Sequence, residues 1–190
     1  MKRICVFCGS SPGARPEYNR AAEELGTILV QKGIGVVYGG SNVGVMGALA
    51  NAVLTAGGEA FGVIPRAFAD KVGHRHLTQY HIVETMHERK ARMYEWSDGF
   101  IALPGGMGTL EEFLETVTWL QLGFHKKPCG VLNVCGFYDG LLRFLDYIVE
   151  QRFLKLIHRE MILADTDPER LLDKMDSYEH VAVDKWMDRK

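Results

Sequence analysis

The sequence predicts an α/β protein: a Rossmann-like, doubly wound parallel sheet of about seven strands with helices on both faces, forming a single nucleotide-binding domain over residues 1–190. Three observations predict it. Short apolar runs alternate with amphipathic runs along the whole chain, which is the pattern of repeated strand–helix units. The strand candidates are continuously apolar rather than alternating, as in a sheet buried on both sides. Three glycine-rich turns follow the first, second and fifth strand candidates. All three therefore fall at the carboxyl edge of the sheet, where open α/β sheets bind ligands.

Residues 3–8 (RICVFC) form the first strand, and Gly9-Ser10-Ser11-Pro12-Gly13 is a turn rich in donors. Pro16 is placed to start a helix that runs to about residue 31, with Ala21, Ala22, Leu25, Ile28 and Leu29 as its apolar stripe. Gly33 ends it. A second strand, 34–38, leads to the second glycine turn, 39–44, and to a small apolar helix over 45–56. Gly57-Gly58 stops that helix, and 59–64 is a third strand closed by Pro65. Residues 66–78 mix charges and histidines with few apolar positions, as expected of a surface loop or broken helix over a site. A fourth strand at 80–84 and a helix at 86–96 follow. The fifth strand then enters the third glycine turn, and its helix starts at Leu110. A sixth strand at 130–134, a helix at 138–151, a short strand at 161–164 and a helix at 168–175 complete the pattern. The tail from Ser177 has no strong periodicity.

Composition narrows the classes. The chain has 190 residues, 47% of them hydrophobic and 24% charged, with a net charge of −2. That leaves room for a sizeable core. Basic residues are scattered among acids, so no nucleic-acid footprint is expected. No apolar run reaches membrane-span length, and the first strand begins without a signal-peptide pattern. A cytoplasmic location is expected, with no membrane partner. Four cysteines include the pair Cys5 and Cys8. On a strand, residues three apart point to opposite faces, so these thiols diverge instead of sharing a metal or a disulfide. All four cysteines are expected to be buried and free. His74 and His76 have no partner cluster, and solvated or hydrogen-bonding roles fit them better than metal ligation. No metal or redox cofactor is expected.

The chemistry is expected at Pro104-Gly105-Gly106-Met107-Gly108-Thr109-Leu110-Glu111-Glu112. Glycines let backbone approach a ligand closely. The free N–H groups and dipole of the following helix favour an anion such as a phosphate, and Thr109 adds a hydroxyl. Along that helix Leu110, Phe113, Leu114, Val117 and Leu120 make the predicted core stripe. Glu112 falls nearly opposite it, outside the core and free to reach a nucleotide sugar. In the preceding helix, Met86, Arg89, Met93 and Trp96 share one face. A guanidinium in an apolar stripe needs a paired anion. The pattern admits two readings: an arginine snorkelling at the stripe's edge toward a local glutamate, or one facing the cleft to meet Glu112 or the ligand.

The combination of Met86-His87-Glu88-Arg89-Lys90, the Pro104 to Glu112 loop and Thr118-Trp119-Leu120-Gln121-Leu122-Gly123 closely resembles the LOG ("Lonely Guy") family of cytokinin riboside 5′-monophosphate phosphoribohydrolases. The resemblance extends from Val6-Phe7-Cys8-Gly9-Ser10-Ser11 through Tyr38-Gly39-Gly40 to His158-Arg159. It implies an N-glycosidic hydrolase that splits a purine nucleoside 5′-monophosphate, with the N6 substituent left open, into free base and ribose 5-phosphate. By position it makes Arg89 and Glu112 the catalytic pair. Lys90, Gly105, Gly106, Met107, Gly108, Thr109, Leu110, Glu111 and Thr118 become substrate contacts, and Ser10 and Gly40 join them from the first two turns. It also implies a homodimer with sites near the subunit interface. A family contact in the loop before residue 86 has no clear counterpart in Ala69-Asp70-Lys71. Some relatives carry a lysine decarboxylase label, which no lysine here supports by its context. The competing readings are a nucleotide-binding carrier or sensor and, more weakly, a dinucleotide-dependent oxidoreductase, since the first turn lacks G-x-G-x-x-G spacing.

Overall fold

The structure, a computed structural model, describes residues 1–181; the last nine residues of the tail lie outside the described residues. Among the described residues, seven strands form one sheet in the order β4-β3-β2-β1-β5-β6-β7, and every neighbouring pair is parallel. The strands are β1 (Arg3–Phe7), β2 (Gly35–Tyr38), β3 (Ala60–Pro65), β4 (Gln79–Val83), β5 (Gly99–Ala102), β6 (Cys129–Leu132) and β7 (Ile162–Asp165). The helices are α1 (Pro16–Gln31), α2 (Gly44–Thr55), α3 (Arg66–Val72), α4 (Met86–Glu95), α5 (Met107–Gln121), α6 (Asp139–Glu150), α7 (Leu156–Arg159) and α8 (Pro168–Asp176). The chain winds outward from β1 to β4, returns to place β5 on the other side of β1, and winds outward again. The strand order therefore reverses between β1 and β5, and a crevice opens at their carboxyl ends.

Both faces of the sheet are covered, which is why the strands read as unbroken apolar runs. One core layer joins Ile4, Val6, Val36 and Ile101 to Leu25, Leu29, Leu49 and Leu172 of α1, α2 and α8. The other joins Cys5, Phe7, Val37 and Phe100 to Met93 of α4, Phe113 and Leu120 of α5 and Leu145 of α6. Cys5 and Cys8 fall in different layers, the divergence that strand geometry requires. Cys129 is also buried, but Cys135 is exposed. It sits in a 3-10 turn after β6 with φ of 52°, beyond the end of the strand.

The core stripe of α5 departs from expectation. The buried positions are Thr109, Glu112, Phe113, Thr116 and Leu120, whereas Leu110, Leu114 and Val117 are only partly buried. The helix is rotated so that small hydroxyl residues face inward; Thr116 satisfies its own hydroxyl by donating to Phe113 O at 2.7 Å. Residues 66–78 hold the short helix α3 and a loop tied back to the second glycine turn, through Asn42 N–H to Val72 O at 2.8 Å and His74 N–H to Gly40 O at 2.9 Å. His74 is a hydrogen-bonding residue. One ring nitrogen meets Asn51 Oδ1 at 3.0 Å, and the other accepts from the His76 backbone N–H at 3.3 Å.

Candidate active site

At the β1/β5 switch point the first and third glycine turns touch: Gly9 N–H donates to Pro104 O at 3.1 Å, and Gly9 O accepts from Met46 N–H at 3.2 Å. The second turn closes the same edge. At Gly105 the loop after β5 leaves no room for a side chain, since a Cβ there would overlap Thr109 Oγ1 and stand 2.9 Å from Gly9 N. From beneath, the buried Tyr138 hydroxyl donates to Leu103 O at 2.7 Å and fixes the residue before Pro104. Gly106 caps α5 without a side chain. The first N–H groups of α5 thus have no partner within the helix and face the crevice, an arrangement suited to an anion.

A cavity of about 530 Å³ opens there, within the usual range for small-molecule sites. Its polar wall is made by Ser10, Thr109, Arg89 and Glu112, and its floor by Cys8 and Gly39. Apolar side chains from four elements, Met46, Ile64, Phe68, Val72 and Met86 among them, form the rest. A second cavity of about 220 Å³ lies across the first turn, against Gly105, Tyr18 and Phe137. Among the described residues no group of three or more His, Cys, Asp or Glu side chains is placed to hold a metal ion.

Arg89 and Glu112 are the chemical centre of the cavity. Both are 6% exposed, and Arg89 Nη1 donates to Glu112 Oε1. Arg89 Nε donates to Val63 O on β3 at 3.0 Å. The arginine therefore faces the cleft and meets Glu112, the second of the two readings its helix face admitted. Glu112 corrects the expectation drawn from periodicity: it is buried, not free outside the core. Periodicity locates the face turned to the sheet, but α4 covers α5 from the side and supplies the guanidinium. Burial pushes the Glu112 carboxyl above its usual range, and the Arg89 charge and hydrogen bond draw it back. A carboxylate held in this balance can stabilise a cation or accept a proton.

Of the remaining residues expected at the site, Ser10, Gly106, Met107, Gly108 and Thr109 line the main cavity, and Gly105 lines the second. Gly40 lines neither; its neighbours Gly39 and Ser41 do. Lys90, Leu110, Glu111 and Thr118 also stand apart from the main cavity. Lys90 Nζ bonds Glu111 and Glu115, the latter at 2.9 Å. Burial lowers its pKa, but those two carboxylates outweigh it and leave the ammonium raised. The Thr118 hydroxyl donates to Leu114 O at 2.7 Å on an exposed face of α5. Sequence reasoning missed the apolar wall. Phe68 and Val72 come from the segment read as a loop over a site, and no spacing rule singles them out.

A family described as "Possible lysine decarboxylase" matches residues 46–175. Among the described residues no lysine lines the main cavity. The chain is 47% identical over 179 residues to the Arabidopsis thaliana cytokinin riboside 5′-monophosphate phosphoribohydrolase LOG1, covering 94% of this chain and 84% of that protein. It is likewise 47% identical to the LOG phosphoribohydrolase of Oryza sativa subsp. japonica, covering 94% and 74%. The solved structure of a molybdenum cofactor binding protein from Rippkaea orientalis superposes with a TM-score of 0.71 at 21% identity, covering 93% of this chain and 97% of that one. At that identity the likeness speaks for the fold alone. At 47% identity over 94% of its length to these plant enzymes, this chain belongs to the LOG family.

Proposed function

We propose that this protein hydrolyses the N-glycosidic bond of a purine nucleoside 5′-monophosphate, releasing the free base and ribose 5-phosphate. The observation that carries the reading is the buried Arg89–Glu112 pair in the wall of a cavity that also takes in the start of α5, where no side chain caps the helix. The phosphate binds at the N–H groups of residues 107–109, and the sugar lies toward Glu112. As the bond breaks, positive charge builds on the ribose ring. The Glu112 carboxylate stabilises that charge and orients the attacking water. Arg89 holds the carboxylate in place and contacts the ribose or phosphate. The apolar wall of Met46, Ile64, Phe68 and Met86 receives the base, and an N6-prenyl purine of cytokinin type suits it.

We further propose a cytoplasmic homodimer. Lys90, Leu110, Glu111 and Thr118 stand outside the main cavity of their own chain, so a nucleotide they touch belongs to a partner subunit. The partly buried Leu110, Leu114 and Val117 lie along the same helix. Three buried free thiols suit a reducing compartment.

Incubation with AMP, followed by separation of adenine and ribose 5-phosphate, tests the activity. Adenosine run beside it tests the phosphate requirement. Release of adenine from AMP and much slower release from adenosine is the expected result. Equal rates overturn the phosphate assignment, and no adenine from either AMP or its N6-prenyl form overturns the function. Mixing inactive Glu112→Gln and Thr118→Ala chains tests the shared site, since only a dimer with contacts across subunits regains activity.

A further inference from the structure

The guanidinium of Arg89 reaches a long way. Its Nε is bonded to Val63 O on β3, and its Nη1 is bonded to Glu112 on α5, which packs beside β1 and β5. Between β3 and β1 lies β2. The arginine must therefore cross over the carboxyl end of β2, and the residue it crosses is Gly39. A Cβ built on Gly39 would overlap Arg89 Nη2 and stand 2.9 Å from Met46 Sδ, closer than real Cβ atoms come to either.

The neighbouring glycine is different. Gly40 has φ of +75°, and a Cβ there would press on β3, at 3.2 Å from Ile64 Cβ and 3.3 Å from Val63 N. Its smallness serves the backbone and the packing of the turn. Gly39 has no such φ. An L side chain can adopt its conformation, and what excludes one is the ends of two side chains, Arg89 first and Met46 beside it.

We infer that Gly39 is a positioning residue: the missing side chain is the slot in which Arg89 lies, so position 39 sets where the guanidinium meets Glu112. This rests on the proposed reaction only for the rate measurements. A methyl at 39 leaves the turn intact and displaces Arg89 toward the cavity or away from Val63 O. The pair loosens, and Glu112 loses part of the charge that opposes its burial. The charged and titratable groups that face Glu112 are Arg89 and Lys90 from α4, Glu111 on its own helix, and the thiols of Cys5 on β1 and Cys8 just after it. Of these only Arg89 touches position 39.

The test is Gly39→Ala in two backgrounds, wild type and Arg89→Lys, with Gly40→Ala for contrast. In the wild type, Gly39→Ala should keep Tm within a few degrees while kcat/KM for AMP falls on the order of 10²-fold, the usual result of a misplaced catalytic group. The acid limb of its kcat–pH profile should move to higher pH. Lysine has no Nη2 to collide, so in the Arg89→Lys background the same methyl should change kcat/KM by less than about threefold, an interaction that a double-mutant cycle reads directly. Where turnover is too slow, AMP affinity by calorimetry replaces the rate. Gly40→Ala should instead lower Tm. Unchanged kinetics in Gly39→Ala, or the same loss in both backgrounds, overturns the inference. A wild type that binds AMP but releases no adenine overturns the function instead, and the affinity cycle still decides the role of Gly39.

Discussion

Arg89→Ala separates a buried pair from a surface one. Removing a charge from an apolar helix face would by itself be expected to cost little stability. The structure reverses that expectation. Arg89 and Glu112 are equally buried, so deleting the cation leaves a carboxylate without its partner. Breaking a buried pair costs about 3–5 kcal/mol. Both side chains border the cavity, where water reaches part of each, so the lower end, about 3 kcal/mol, applies. For a domain of this size that is a fall in Tm of roughly 6–12 °C near neutral pH. The loss should also depend on pH, with a fixed sign. Without Arg89, burial is the leading influence on Glu112 and raises its folded pKa above the unfolded value. Stability from such a group is complete below the unfolded pKa, about 4.3, and is lost as pH rises through the folded pKa. The deficit of the variant should therefore be smallest in mild acid and largest near neutrality. Thermal melts across that range, on wild type, Arg89→Ala and Arg89→Ala/Glu112→Gln, measure it. The double variant carries no buried charge and should be the more stable of the two. A deficit under about 2 °C that does not vary with pH, or a double variant no better than the single, would refute the buried pair.

Three further outcomes follow from the same geometry. Glu112→Gln keeps shape and most hydrogen-bonding capacity, so steady-state kinetics should show kcat reduced by roughly 10²-fold or more with AMP affinity retained. Near-normal turnover would make the carboxylate a helix charge and nothing else. Tyr138→Phe removes the hydroxyl that donates to Leu103 O. Its Tm should fall by about 2–4 °C, the effect of about 1 kcal/mol, and KM for AMP should rise a few-fold as the glycine loop loosens; an unchanged KM would show that the loop holds itself. Asp165 accepts from Arg170 and Lys174, each at 2.8 Å, and hydrogen bonding to Arg170 leads in holding its carboxyl well below the usual range. A depressed folded pKa gives stability that is present above the unfolded value and lost as pH falls. Asp165→Asn should thus lower Tm by a few degrees near neutral pH, with the difference closing in strong acid.

The parallel sheet was legible because burial on both faces erases alternation, and Val36-Val37-Tyr38 or Phe100-Ile101-Ala102 can then be nothing else in a chain of this rhythm. The ends of the elements were legible where a residue dictates them, as Pro16 does for α1. The short helix α7 was not, because four residues carry no period. At the site, the loop from Pro104 to Thr109 could be read from its glycines. Arg89 was half legible: an arginine in an apolar stripe announces a buried partner without naming it. Glu112 was misplaced because a helix wheel records one neighbour, the sheet, and α5 has two. Gly39 was passed over for Gly40. Sequence shows that a glycine is present, but not whether backbone torsion or a distant side chain requires it.

The start of α4 bears on how the chain tolerates changes of length. Thr85 Oγ1 accepts from Glu88 N–H at 3.1 Å, and Glu88 Oε2 accepts from Glu84 N–H at 2.9 Å, a close relative of the capping box. This lock fixes the rotational phase of the helix four residues before Arg89. Each residue turns a helix by about 100°, so one insertion between Thr85 and Arg89 would swing the guanidinium away from Val63 O altogether. Insertions and deletions should accordingly be rejected between the cap and the arginine, which makes the threonine a timing mark for the residue one turn on, whose backbone N–H its own carbonyl accepts at 3.1 Å.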